Sequence, residues 1–121
     1  MKIEHIAIYA NDVDTLAKWY CEVLNLKVAR KLERSGRLPV YFLEGTQATI
    51  EILPTDKVRK EREIDEPGFS HIGLTVEDFK ETEMILKTKG VALHGVRDTS
   101  AGWRIGYFND PEGNVMEIIE R

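Results

Sequence analysis

The chain has 121 residues, a formal net charge of -4 and 31% charged residues, which fits one compact domain. Hydrophobic residues make up 42%, and no apolar run reaches the ~18 residues that a membrane-spanning helix needs. The negative charge and the scattered basic residues argue against nucleic acid as the main partner. The N-terminus lacks a signal-peptide layout, and the single cysteine, Cys21, excludes an internal disulfide. A cytoplasmic location is therefore expected.

The first half of the chain predicts one strand, one helix and three further strands. The predicted elements are a strand at 3–10, a helix at 12–24 and strands at 26–33, 38–44 and 48–53. Apolar residues at helical spacing support the helix, which Asn11 or Asp12 can cap at its start and Asn25 can end in a left-handed conformation. In the first strand, Ile6 points to the helix and His5 to the opposite face.

A polar, charged segment from about residue 55 to residue 68 is predicted to be a linker between module 1 (about 1–54) and module 2 (about 69–121) of a single domain. The second half repeats the order of the first. The predicted elements are a strand at 69–76, a helix at 79–89 and strands at 92–98, 103–109 and 114–119. Asp78 is expected to cap the helix and Gly90 to end it.

Three matches at one spacing indicate that the second half duplicates the first. His5 and His71 are 66 residues apart, and so are Glu51 and Glu117. The pair Tyr41-Phe42 recurs as Tyr107-Phe108, also at 66 residues. Each half thus reads as one βαβββ unit that could bury little core alone.

The repeat places two histidines and two glutamates on the sheet faces opposite the helices. A lone strand histidine is usually structural, and a lone edge glutamate is usually solvated. However, four such residues at repeat-related positions, His5, Glu51, His71 and Glu117, point to a divalent metal ion, which would neutralise both carboxylates. His94 lies outside the repeat and is predicted to be a surface histidine.

The whole chain resembles the vicinal oxygen chelate superfamily, which includes glyoxalase I, extradiol dioxygenases and bleomycin-resistance proteins. The resemblance rests on segments 5–8, 49–52, 70–74 and 110–118. It implies an α+β fold in which two βαβββ modules form a half-open barrel around one metal ion, commonly within a homodimer. The metal ligands it implies are His5, Glu51, His71 and Glu117, with Zn or Ni favoured and Co, Mn or Fe also open.

The order His, Glu, His, Glu is similar to that of glyoxalase I. This similarity implies a metal-dependent lyase or isomerase, in which Glu51 and Glu117 are the candidate catalytic bases for proton transfer. The implied partner is a small oxygen-chelating molecule, such as the adduct of a 2-oxoaldehyde and a thiol. Whether one chain or a dimer builds the site stays open.

One departure from the family pattern keeps other functions open. Members that use glutathione usually carry an arginine four residues after the first histidine, where this sequence has Tyr9, and this argues against glutathione as the thiol. The alternatives are a non-catalytic ligand-binding or resistance-type protein, or an epimerase or dioxygenase of the same superfamily.

Overall fold

The computed structural model describes residues 1–121, which form two compact units, Met1–Lys60 and Glu61–Arg121. The boundary between these units, here called module 1 and module 2, falls inside the predicted linker, and residues 55–70 form no helix or strand. Each module has the predicted βαβββ order, and every predicted strand and helix ends within two residues of its observed bounds. No helix has the length and apolar character needed to cross a bilayer.

Module 1 is a four-stranded sheet with one helix. Its elements are β1 (His5–Ala10), α1 (Val13–Leu24), β2 (Lys27–Arg34), β3 (Arg37–Glu44) and β4 (Thr49–Pro54). The sheet order is β1-β4-β3-β2, in which β1 and β4 are parallel and the other neighbours antiparallel. The parallel pair forms because α1 and the β2–β3 hairpin separate β1 from β4 along the chain.

Module 2 has the same topology. Its elements are β5 (His71–Thr75), α2 (Phe79–Thr88), β6 (His94–Asp98), β7 (Arg104–Asn109) and β8 (Val115–Glu120). The sheet order is β5-β8-β7-β6, again with one parallel pair, β5 and β8.

Capping residues set both helices, as the sequence predicts. Asp12 caps α1 by accepting a hydrogen bond from the Thr15 backbone N–H at 3.0 Å, and Asn25 ends this helix in the left-handed region with φ at 56°. Asp78 caps α2 by accepting from the Glu81 backbone N–H at 2.9 Å. These contacts satisfy N–H groups that have no partner inside the helix.

The core of each module lies between its sheet and its helix. The alternation along the strands buries Ile8, Ile50 and Ile52 in module 1, and Met116 and Ile118 in module 2, on the helix side of the sheets. The candidate ligands next to them therefore point to the other side, which we call the ligand face of each module. The alternation of side chains along the strands predicted this division correctly for both modules.

The predicted correspondence between Tyr41-Phe42 and Tyr107-Phe108 is wrong by one residue. In module 1, Phe42 is the residue of β3 that pairs with Glu51, whereas in module 2 Tyr107 of β7 pairs with Glu117. The structural counterpart of Tyr107 is therefore Phe42, and Tyr41 corresponds to Gly106. The cause is the last turn, which spans residues 45–48 in module 1 and 110–114 in module 2, so that module 2 has one residue more and a shifted register.

Candidate metal centre

Module 1 brings His5 and Glu51 together on its ligand face. Parallel pairing of β1 with β4 sets Ala7 opposite Glu51, so the histidine lies two residues before the position that faces the glutamate. The His5 Nε2 atom is 3.5 Å from the Glu51 Oε2 atom. The His5 side chain is 49% exposed and that of Glu51 is 19% exposed, so the pair lies at the surface of the sheet with its carboxylate largely sheltered.

Module 2 repeats this arrangement with His71 and Glu117. The His71 Nε2 atom is 3.4 Å from the Glu117 Oε2 atom, and the two side chains are 29% and 14% exposed. Gly73 pairs with Glu117 across β5 and β8, and a Cβ atom at Gly73 would lie 3.4 Å from Oε2 of this glutamate. The small residue thus leaves room beside the carboxylate.

Both histidines are held through Nδ1 by the residue that precedes them. The Glu4 carboxylate accepts a hydrogen bond from Nδ1 of His5, and this contact raises the pKa of His5. The Ser70 hydroxyl lies 2.9 Å from Nδ1 of His71. In each module Nε2 is then the ring nitrogen that faces the glutamate. Partners on the second nitrogen are the usual means of orienting a histidine that binds a metal.

The chemistry of these side chains fits a divalent ion. An imidazole nitrogen and a carboxylate oxygen suit Zn²⁺, Ni²⁺ and related ions, and their separation of 3.4 to 3.5 Å is close to the ~3 Å between two ligands of one such ion. Neither module by itself holds three or more potential ligands within reach of one ion. Each module contributes one histidine and one glutamate, so the set of four stays a prediction.

Module 2 has polar residues around its glutamate that the sequence analysis missed. The Tyr107 ring packs edge-on against His71 with 5.5 Å between centroids, and strand pairing sets Tyr107 opposite Glu117. Burial is the main cause that raises the pKa of Tyr107, and the Glu117 charge adds to it. The predicted surface residue His94 is exposed and stacks on Tyr107. The turn 110–114 is one residue longer than its counterpart in module 1. This difference in length was the sequence feature that could have indicated that Tyr107 lies opposite Glu117.

Comparison with known proteins decides the family. The model of the Glyoxalase/Bleomycin resistance protein/Dioxygenase superfamily matches residues 2–118. The chain belongs to this superfamily. Proteins of the superfamily generally bind a divalent metal and small-molecule substrates, and they often dimerise. The two four-stranded sheets with one helix each agree with a glyoxalase-like fold.

Superfamily relatives extend over nearly the whole chain. A probable lactoylglutathione lyase of Synechocystis is 28% identical over 99% of this chain and 95% of its own length. A probable chloroplastic lactoylglutathione lyase of Arabidopsis thaliana is also 28% identical over 97% of this chain, which spans only 35% of that protein. The crystal structure of a glyoxalase family protein from Enterococcus faecalis is 25% identical, with a TM-score of 0.86 over 98% of this chain and 97% of its own.

Proposed function

We propose that this protein is a metal-dependent enzyme of the lactoylglutathione-lyase type, active as a homodimer in the cytoplasm. Its substrate would be the adduct of a 2-oxoaldehyde with a thiol. The observation that carries the proposal is the paired arrangement, in which each module turns a histidine Nε2 and a glutamate Oε2 toward each other at 3.4 to 3.5 Å. The names of the Synechocystis and Arabidopsis relatives support the reaction class.

The four ligands we propose are His5 and Glu51 from module 1, and His71 and Glu117 from module 2. Two carboxylates and two neutral imidazoles would balance the charge of one divalent ion. When bound, the ion would act as a Lewis acid toward two adjacent oxygens of the substrate. Glu4 and Ser70 would keep the two imidazole rings oriented.

The reaction itself is a proton transfer between neighbouring carbons. One glutamate carboxylate, Glu51 or Glu117, takes the proton from the carbon that bears the sulfur and returns it to the adjacent carbonyl carbon. The hydroxyl proton moves in the same direction, from the oxygen on the sulfur-bearing carbon to the neighbouring carbonyl oxygen, so the product is a 2-hydroxy thioester with the same atoms as the adduct. General-base catalysis of this kind contributes about 10²–10⁴-fold to a rate.

The thiol in this proposal is a molecule other than glutathione. Tyr9 occupies the position where glutathione-dependent members usually carry an arginine, and its side chain is exposed at 65%. A phenol has no positive charge to pair with a carboxylate of the thiol. A thiol with fewer negative charges than glutathione suits this site better.

The test is a turnover assay on the protein loaded with Zn²⁺ or Ni²⁺, using methylglyoxal with a panel of thiols that includes glutathione. Glu51→Gln and Glu117→Gln should each lower kcat by about 10²–10⁴-fold. Glu22→Gln is the matched control, because Glu22 is an exposed glutamate of α1. Chelation should abolish turnover, and re-addition of the metal should restore it.

Two results would reject the proposed enzymatic function. Full activity after complete metal removal would exclude the metal-dependent mechanism. Stoichiometric binding of a ligand without turnover of any adduct would favour the alternative function, a ligand-binding protein of the resistance type.

A further inference from the structure

One row of residues crosses the ligand face of module 2, with one residue from each strand. Strand pairing sets the row in the order Gly73, Glu117, Tyr107 and His94. The rings of His94 and Tyr107 stack with 6.1 Å between centroids, and Tyr107 packs edge-on against the candidate ligand His71. The row therefore ends in a nitrogen-bearing side chain on the face that carries the proposed metal ligands.

Module 1 has the same row, and its last residue is an arginine. Strand pairing sets the order Ala7, Glu51, Phe42 and Arg30. Arg30 is thus the counterpart of His94, although the two are 94 − 30 = 64 residues apart and fall outside the spacing of 66 that relates the glutamates. Each module therefore places a side chain with a nitrogen donor in the same row as its glutamate.

The contacts of the neighbouring residue show which way Arg30 points. The Lys31 Nζ atom lies over the Tyr41 ring, 5.5 Å from its centroid, and the Tyr41 hydroxyl bonds to Asp14 of α1. Lys31 therefore lies on the helix side of the sheet. Because successive side chains of a strand point to opposite faces, Arg30, which pairs with Phe42, points to the ligand face.

The guanidinium of Arg30 has no partner in the chain. Two other basic residues of β2 do have partners, since Lys31 pairs with Glu33 at 3.0 Å and Arg34 donates to the Leu38 backbone oxygen at 2.7 Å. Arg30, in contrast, is exposed and makes no hydrogen bond or ion pair. A guanidinium presents a planar fork of N–H donors that matches the two oxygens of a carboxylate. The group that Arg30 suits best is therefore the carboxylate of a ligand.

We propose that Arg30 is a specificity-determining residue that binds a carboxylate on the thiol part of the substrate. This inference rests on the proposed function and names the thiol more closely, as one whose chain ends in a carboxylate. The backbones of Glu51 and Arg30 are two strand spacings, roughly 10 Å, apart in the sheet, so this carboxylate lies beyond the reacting carbons. One guanidinium matches one carboxylate, which agrees with a thiol of lower negative charge than glutathione.

The first measurement is a calorimetric titration of the Zn²⁺-loaded full chain with two thiols of equal length, mercaptohexanoate and mercaptohexanol. Wild type should bind the acid about fivefold more tightly than the alcohol, which is the upper range for an exposed ion pair. Arg30→Gln should bind the two thiols with affinities within twofold of each other. Arg30→Lys keeps the positive charge but loses the planar fork, so it should retain part of the preference.

Lys31→Gln is the matched control, because it removes one positive charge from the adjacent residue on the helix side of the sheet. Its preference for the acid should equal that of wild type. A preference that survives Arg30→Gln would overturn the inference. So would a preference that Lys31→Gln removes to the same extent, because the net charge of the strand would then explain it.

The second measurement is turnover of the adducts that methylglyoxal forms with the same two thiols. Arg30→Gln should raise KM for the mercaptohexanoate adduct about fivefold and leave kcat within twofold, because Arg30 contacts the substrate away from the reacting carbons. The same variant should leave KM for the mercaptohexanol adduct unchanged. An equal rise of KM for both adducts would contradict a role in recognising the carboxylate.

The outcomes separate this inference from the proposed function. A preference for the acid that Arg30→Gln removes, in a protein that turns over no adduct, would reject only the proposed reaction. Normal turnover with no preference for the acid would reject only the role of Arg30. A protein that takes up no Zn²⁺, or that neither binds these thiols nor turns over any adduct, would reject both.

Discussion

Module 1 and module 2 share one backbone plan but place their tyrosines on opposite faces of the sheet. In module 1, Tyr41 points to the helix and donates to Asp14 of α1 at 2.5 Å. In module 2, Gly106 takes the corresponding position and Tyr107 points to the ligand face. A one-residue difference in register moves a side chain across the sheet. A duplicated unit can therefore gain a polar side chain at its ligand face without any change in topology.

The largest effect on stability is expected at Gly106. This glycine occupies the position in module 2 that corresponds to Tyr41 in module 1, and it has no side chain. A Cβ atom there would lie 3.0 Å from Cζ of Phe79, 3.1 Å from Cδ1 of Leu93 and 3.1 Å from Cγ2 of Val96. Three buried or half-buried side chains would have to shift together, so Gly106→Val should lower the free energy of unfolding by roughly 3 kcal/mol in urea denaturation.

Gly73→Ala is the control for this prediction, because its Cβ would meet only the Glu117 carboxylate at the edge of ordinary contact. It should change the unfolding free energy by less than ~0.5 kcal/mol. An unchanged urea midpoint for Gly106→Val would show that α2 does not pack as closely on β7 as the distances indicate.

The second comparison concerns the turn that precedes the last strand of each module. In module 2, Asp110 is only 4% exposed and accepts from the backbone N–H groups of Glu112 and Asn114, both at 2.9 Å. In module 1, the side chain of the exposed residue Thr46 hydrogen-bonds with the backbone of Ala48. Asp110→Ala would leave these N–H groups without their acceptor. Thermal unfolding should show a loss of about 2 kcal/mol for Asp110→Ala and below ~0.5 kcal/mol for Thr46→Ala. Equal losses would mean that both turns are held alike.

These turns also explain what the sequence could and could not predict. Alternating apolar residues, the caps Asp12 and Asp78, and the stop at Asn25 are local signals, and they located every helix and strand. Parity correctly placed His5 and Glu117 on the faces opposite the helices. The family resemblance, carried by short motifs around these residues, is confirmed by the superfamily match to residues 2–118.

The contacts of Tyr107 were beyond the sequence argument because they depend on register between strands. The dipeptides Tyr41-Phe42 and Tyr107-Phe108 look identical, yet the longer turn 110–114 shifts the second by one position against its glutamate. The packing of His94 on Tyr107 similarly arises from an irregular pairing of β6 with β7. Such irregularities follow from tertiary packing and leave little trace in local composition.

The smallest effect is expected from removal of the Tyr41 hydroxyl. Tyr41 faces the helix in module 1, and its counterpart in module 2 is a glycine. Tyr41→Phe removes its hydrogen bond to Asp14, and because Asp14 lies at the surface, water can replace the lost partner. The free energy of unfolding at pH 7 should fall by about 1 kcal/mol. Tyr9→Phe, at an exposed tyrosine, is the control and should leave the urea midpoint unchanged.

The pH dependence of folding stability provides a further test of the comparison between wild type and Tyr41→Phe. Burial, and next the hydrogen bond with Asp14, raises the pKa of Tyr41 above its ordinary value of 10.0. Just above pH 10 the unfolded chain loses this proton while the folded chain keeps it. The contribution of Tyr41 to stability is therefore complete below pH 10 and is lost as the pH rises through the pKa of the folded state. The stability difference between wild type and Tyr41→Phe should therefore narrow in urea titrations above pH 10. A difference that widens there would mean that Tyr41 ionises more readily in the folded module than in the unfolded chain, and that the helix face of module 1 does not shelter its phenol.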